Sequence, residues 1–308
     1  MKTITAVLVA LILCSPGRAL DAVPILAGRV TIAGAAAADS PEVTAVPADV
    51  RSRFILSPFY QKYVGVDGLP ILSSAKVSDY ALLEARDILE HMTAHRPELL
   101  RIIARAKVRV AVMSVDEFST DIPEHHDLTP KDYWDRRARG LGATLARPAV
   151  SCGEENLLGY AGDPYPTENI LVHEFGHVIH ERGMYLLDGN FDRELRAAFD
   201  AAKRDGLWAG TYAGTNHKEY WAEGTQSWFD TNRENDADHG PISTRAKLRE
   251  YDPRLAALLA KVYGDGEWRY VPPARRDPPS PHLQGFDPAA GPTFAWPDRI
   301  KDVPLRSP

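Results

Sequence analysis

Apolar residues recur at helical spacing along much of this chain. Between Val77 and His95 they fall at Ala81, Leu82, Ala85, Ile88, Leu89 and Met92, which lines one face of a helix with Ser78 as its N-cap. Pro97 suits the first turn of a second helix running to Ala106. Val108, Val110 and Val112 alternate with Arg109 and Ala111, which predicts a strand over 108–115. A polar loop covers 119–129. Helical spacing then returns four times: from an N-cap at Thr167 to a stop at Gly183, from Phe191 to Lys203 before Gly206, from an N-cap at Asn216 to Phe229, and from Pro253 to Tyr263 between Asp252 and Gly264. Helices outnumber strands and no internal repeat is visible. The pattern predicts an α+β fold, mainly helical with a small β-sheet.

The two ends break this pattern. Lys2 is followed by an apolar run from Ile4 to Leu13, interrupted by Thr5, and then by the small residues Gly17 and Ala19. Residues 1–19 therefore read as a secretory signal cleaved after Ala19, and the protein is expected to be secreted. The run is shorter than the roughly 20 residues a bilayer span needs, so no membrane span is expected once the signal is gone. Residues 20–50 are rich in Ala, Pro and Val with little period and read as a low-complexity linker or pro-segment. Residues 273–308 read as a Pro-rich tail, extended because proline removes donors and forbids helices. The folded unit is then expected over 51–272.

Composition narrows the function classes. With 44% hydrophobic and 25% charged residues, the chain is neither disordered, collagenous nor a multi-span membrane protein. A formal net charge of −6 without a cluster of cations speaks against nucleic acid as a partner. Signal cleavage would remove Cys14 and leave Cys152, around which no cysteine-enzyme motif stands.

The chemistry concentrates in His173-Glu174-Phe175-Gly176-His177, an HExxH sequence in mid-helix. Residues i and i+4 project from one helix face, so two imidazoles there can hold one Zn²⁺. Glu174, next to the first histidine, is placed to act as general base toward a zinc-activated water. A mid-helix Gly176 costs about 1 kcal/mol relative to Ala, which suggests that a second, ligand-bearing element packs close to this helix. His180 lies seven residues from His173, about 10 Å along the axis, too far to share one ion; it reads as a polar neighbour. With Gly183 standing where a metzincin places its third ligand, that class is excluded.

A third ligand must come from a later element. Glu219 and Glu223 are again i, i+4 on the predicted helix after Asn216. One carboxylate can bind zinc and the other accept the spare ring N–H of a ligand histidine. Periodicity alone does not choose between them, and Asn216-x-x-Glu219 also fits a capping box that needs no metal.

The HExxH at 173–177, followed by Glu219-x-x-Ala222-Glu223, resembles the catalytic domain of the anthrax lethal factor family of gluzincin metallopeptidases, whose relatives include secreted proline-directed endopeptidases. The match covers about 150–230. It implies a zincin-like catalytic domain in which His173, His177 and Glu219 ligate Zn²⁺, Glu174 is the base and Glu223 braces a ligand histidine. In that family a tyrosine seven residues before the glutamate ligand stabilises the reacting carbonyl, a place held here by Tyr212. The implied activity is a secreted zinc endopeptidase acting on a peptide or protein substrate, with the strand at 108–115 as an edge for the extended substrate. The alternative is a zinc-binding, toxin-like or binding module with weak or no peptidase activity. Other clusters carry less: Asp230-x-Asn232-x-Glu234 and Asp236-x-Asp238 have oxygen-rich spacing but lack the turn glycine and terminal glutamate of an EF-hand, and His125-His126 reads as a solvated loop pair.

Overall fold

The computed structural model describes residues 42–304; the expected signal at 1–19 and most of the 20–50 segment lie outside the described residues. In chain order the elements are β1 (Thr44–Ala45), α1 (Ala48–Phe54), β2 (Lys62–Val66), β3 (Leu69–Ser73), α2 (Asp79–Thr93), α3 (Glu98–Arg105), β4 (Arg109–Met113), α4 (Lys131–Arg137), β5 (Gly140–Leu141), β6 (Ala149–Gly153), α5 (Glu154–Leu158), α6 (Ile170–Val178), α7 (Tyr185–Leu187), α8 (Phe191–Arg204), α9 (His217–Trp228), α10 (Arg245–Tyr251) and α11 (Pro253–Tyr263). A π-helical turn, Ile179–Met184, joins α6 to α7. The fold is α+β, as the helical and alternating patterns predict.

The sheet has six strands in the order β1-β2-β3-β4-β6-β5. Its centre, β3-β4-β6, is parallel; β1, β2 and β5 run antiparallel to their neighbours. β4 is therefore paired on both sides and offers no edge, which corrects the expectation that the 108–115 strand docks substrate. The edge positions belong to β1 and β5.

Both sheet faces are covered. Val64, Ile71, Val110, Val112 and Val150 face the main core with α2, α3 and α6. Leu72, Ala111, Met113 and Ala149 face a smaller cluster closed by Val50 and Phe54 of α1. Strands buried on both faces read as continuous apolar runs rather than alternation, so β3 and β6 carry no period of two.

Local chemistry sets the helix bounds. Asn169 rather than Thr167 caps α6: its side chain accepts the Val172 N–H at 3.0 Å. Gly183 is not a stop. The helical path runs on to Leu187, and a Cβ at Gly183 would lie 2.9 Å from Leu99 Cδ2, so the glycine lets α3 approach. Asn216 caps α9 and Asp252 caps α11.

The described residues beyond Pro272, up to 304, pack on this body. Arg276 and His282 pair with Glu84, a fully buried carboxylate on α2 that would be costly without partners. Phe294 and Ile300 are buried beside Phe118. Just before β5, Arg139 is fully buried, bidentate on Glu155, and its guanidinium donates to Ser114 O at 3.0 Å. This pair anchors the start of the edge strand.

Candidate metal centre

Two helices build the site. α6 carries His173, Glu174 and His177; α9 crosses it and carries Glu219, Glu223 and Gln226. Gly176 makes the crossing close: a Cβ there would sit 3.3 Å from three atoms of the Thr225 side chain. The Trp221 indole N–H donates to Gly176 O at 2.9 Å and ties the helices at the same level. The partner expected from a mid-helix glycine is thus α9.

His173 Nε2 and His177 Nε2 lie 3.2 Å apart. Glu219 Oε2 lies 3.3 Å from the first and 3.2 Å from the second. The three atoms form a near-equilateral triangle. Such edges match a tetrahedron with metal–ligand bonds of about 2.0 Å, the bond length of Zn²⁺ to imidazole and carboxylate. Glu219 Oε2 is buried without a hydrogen-bond partner, aimed at the same point. Asn216 caps α9 with its own side chain, on the N–H groups of Lys218 and Glu219, while the Glu219 carboxylate goes to the histidines. The donor set and its spacing fit a zinc ion.

The surrounding charge favours a cation. Burial disfavours ionised Glu219, yet the two histidines hold its carboxyl well below the usual range. Burial also opposes charge on His173, but Glu219 and Glu223 hold its pKa well above that of a free imidazole. Glu223 is kept ionised, with a pKa of about 2, by His173 and His239 against the cost of burial. A proton or a divalent cation would satisfy this field.

Glu174 projects toward the β5 side. A Cβ on Gly142 would lie 3.1 Å from Glu174 Oε2, and one on Gly140 would lie 3.4 Å from Glu174 Cγ. The edge-strand backbone therefore passes directly over this carboxylate. Burial raises the Glu174 pKa, and the two histidines oppose the rise. Tyr212 stacks near His173, ring centroids 6.2 Å apart. Burial and Glu219 push its phenol up to about 12, so it is a neutral donor at pH 7. A cavity of about 520 Å³ is lined by Tyr212 together with Trp208, Thr211, Gly214 and Asp238.

With Nε2 turned to the cluster, His173 Nδ1 carries the proton and donates it to Gln226 Oε1 at 2.9 Å. Glu223 Oε1 is farther, at 3.4 Å. Gln226 is thus the nearer brace. Its amide donates to Glu168 Oε2 at 3.1 Å and Asn169 O at 3.3 Å, which fixes which end faces the ring. Glu223 accepts from Asn232 Nδ2 at 3.1 Å and faces His239 Nε2 at 3.6 Å. Gln226 and His239 are not singled out by the motifs, and Asn232 stands there only within the oxygen-rich spacing at 230–234, not as a partner of Glu223. Gln226 alone had a visible signal, since 219, 223 and 226 follow the i, i+4, i+7 spacing of one helix face.

The oxygen-rich segment after α9 is spent on protein partners: Asn232 on Glu223, Glu234 on Ser243 and Lys247, Asp236 on His239. His125 is buried, its Nε2 3.3 Å from Ala149 O, and only His126 is exposed. Cys152 is buried on β6 and burial pushes its thiol pKa far up, so it is inert.

Neither protein-family models nor curated proteins give a match. Among solved structures, the fold is similar to the PRO-PRO endopeptidase PPEP-2 from Paenibacillus alvei, at 15% identity and a TM-score of 0.44, covering 62% of this chain and 96% of that one.

Proposed function

We propose that this protein is a secreted zinc-dependent endopeptidase of the gluzincin type, with His173, His177 and Glu219 as its zinc ligands. The observation that carries the reading is the convergence of those three donor atoms beside Glu174. A zinc ion held there supplies Lewis acidity, which lowers the pKa of water to about 7 and polarises a carbonyl.

The chain's own residues do the rest. Glu174 takes the proton from the attacking water and passes it to the leaving nitrogen, and its raised pKa suits both steps. The Tyr212 phenol, protonated at neutral pH, donates to the oxygen on which negative charge develops. Gln226 and Glu223 hold the His173 ring in the tautomer that presents Nε2. An extended peptide pairing with β5 would gain backbone hydrogen bonds, and Gly140 and Gly142 let that edge lie close against Ile170, Glu174 and His177 of α6.

Digestion of a peptide library, with and without a chelator, tests this. The expected result is internal cleavage that the chelator abolishes and zinc restores. Zinc binding without any cleavage would replace the peptidase by the binding-module alternative.

A further inference from the structure

A second group of ligating side chains lies apart from the first. His180 sits on the π-turn after α6, Asp192 near the start of α8, and His217 opens α9 two residues before Glu219. His180 Nε2 is 3.0 Å from Asp192 Oδ1, and His217 Nε2 is 3.5 Å from the same oxygen. All three donor atoms fall within 4.8 Å of one another. The two edges bracket the ~3.3 Å separation of ligand atoms on a tetrahedral zinc with bonds of about 2.0 Å.

Partner accounting favours an occupant. His217 Nε2 is buried and makes no hydrogen bond. Asp192 uses its other oxygen on Arg196, at 2.7 Å, which leaves Oδ1 to the two histidines. Asp192 is also the most open of the three, its side chain 25% exposed, so an ion and a water have a route in. The contrasting group of Glu84, Asp87 and His282 is already filled, because the Arg276 guanidinium lies on Glu84.

We propose that His180, Asp192 and His217 form a second site for a divalent transition metal, with Zn²⁺ as its ion. Two imidazoles with one carboxylate suit zinc and disfavour Mg²⁺ and Ca²⁺, which want an all-oxygen shell. The site's role is structural. An ion there joins the π-turn, α8 and the first turn of α9, the turn that also carries Glu219. It thereby fixes the approach of Glu219 to His173 and His177. This site stands on residues that the peptidase reading does not use.

The test is zinc titration of the full chain after chelator treatment, with bound zinc per chain and Tm as readouts. Wild type should bind two equivalents. His217→Ala should bind one and lose part of the zinc-dependent rise in Tm. The variant His173→Ala/His177→Ala should bind one equivalent and still gain Tm, and adding His217→Ala to it should abolish binding. Asp192→Asn, close in shape, must reproduce the loss seen with His217→Ala, which separates lost ligation from misfolding. A single equivalent in wild type that the His173→Ala/His177→Ala variant loses overturns the proposal, as does His217→Ala binding as much zinc as wild type. One equivalent retained by the His173→Ala/His177→Ala variant would uphold this site even if the first failed.

Discussion

Gly176→Ala places a methyl group where α6 and α9 touch. The new Cβ would lie 3.3 Å from Cβ, Cγ2 and Oγ1 of Thr225. Thr225 has little room to yield: it is fully buried, and its hydroxyl is held by Trp221 O at 2.9 Å and Tyr263 Oη at 3.0 Å. Two effects oppose each other in stability. Alanine gains about 1 kcal/mol over glycine in a helix interior. Overpacking a tight contact costs about 1–3 kcal/mol. The net should be a loss of about 0–2 kcal/mol. The effect on zinc should be clearer, because relief by displacing α9 carries Glu219 away from the histidines. If about 1.4 kcal/mol of that strain falls on the bound state, zinc affinity drops about tenfold. Urea unfolding of the metal-free protein reads the first effect and chelator competition reads the second. Thr225→Ser removes one of the three crowding atoms and should restore part of both in the double variant. If Gly176→Ala gains the full helix-propensity increment and binds zinc like wild type, the α6–α9 contact does not set the site.

Other variants follow from the same geometry. Gln226→Leu removes the brace on His173 Nδ1 and should weaken zinc binding about 10–100-fold in chelator competition, whereas an unchanged affinity would leave Glu223 as the working partner. Tyr212→Phe should lower kcat by about 10²–10³, the scale of one oxyanion donor, with little change in KM; an unchanged kcat would return Tyr212 to a packing role. His180 is buried, and burial lowers its pKa to about 4 even with Asp192 beside it. Its unfolded value is about 6.5. Between these values the unfolded chain binds the extra proton, so stability is whole above about pH 6.5 and falls toward pH 4. From pH 7 to pH 5 this costs about 2 kcal/mol. Urea unfolding of metal-free wild type and His180→Gln at both pH values should show that difference, and equal slopes would refute it.

The longer helices were legible because each repeats apolar residues along one face, and Asn216 and Asp252 cap theirs as read; the short α1, α4, α5 and α10 hold too few turns for a period to show. The sheet was not. β3 and β6 are buried on both faces, and β3 contains Pro70, a residue that in a sequence argues against a strand. One local signal did stand in the sequence: Asp67-Gly68, both at positive φ, forms the two-residue turn between β2 and β3. In the site, His173 and His177 were legible because their relation is internal to one helix. The choice of Glu219 over Glu223 depends on where α9 crosses α6, and periodicity cannot supply that. Gln226 outranks Glu223 at His173 for the same reason: a distance of 2.9 Å against 3.4 Å is decided by tertiary packing.

The central claim is that Glu174 moves protons at a zinc held by His173, His177 and Glu219. The most direct measurement is Glu174→Gln, with bound zinc and peptide turnover determined on the same preparation. Zinc content should equal that of wild type, and turnover should fall by about 10²–10⁴, the contribution of a general base. Turnover that survives, or zinc lost together with activity, would contradict the assignment.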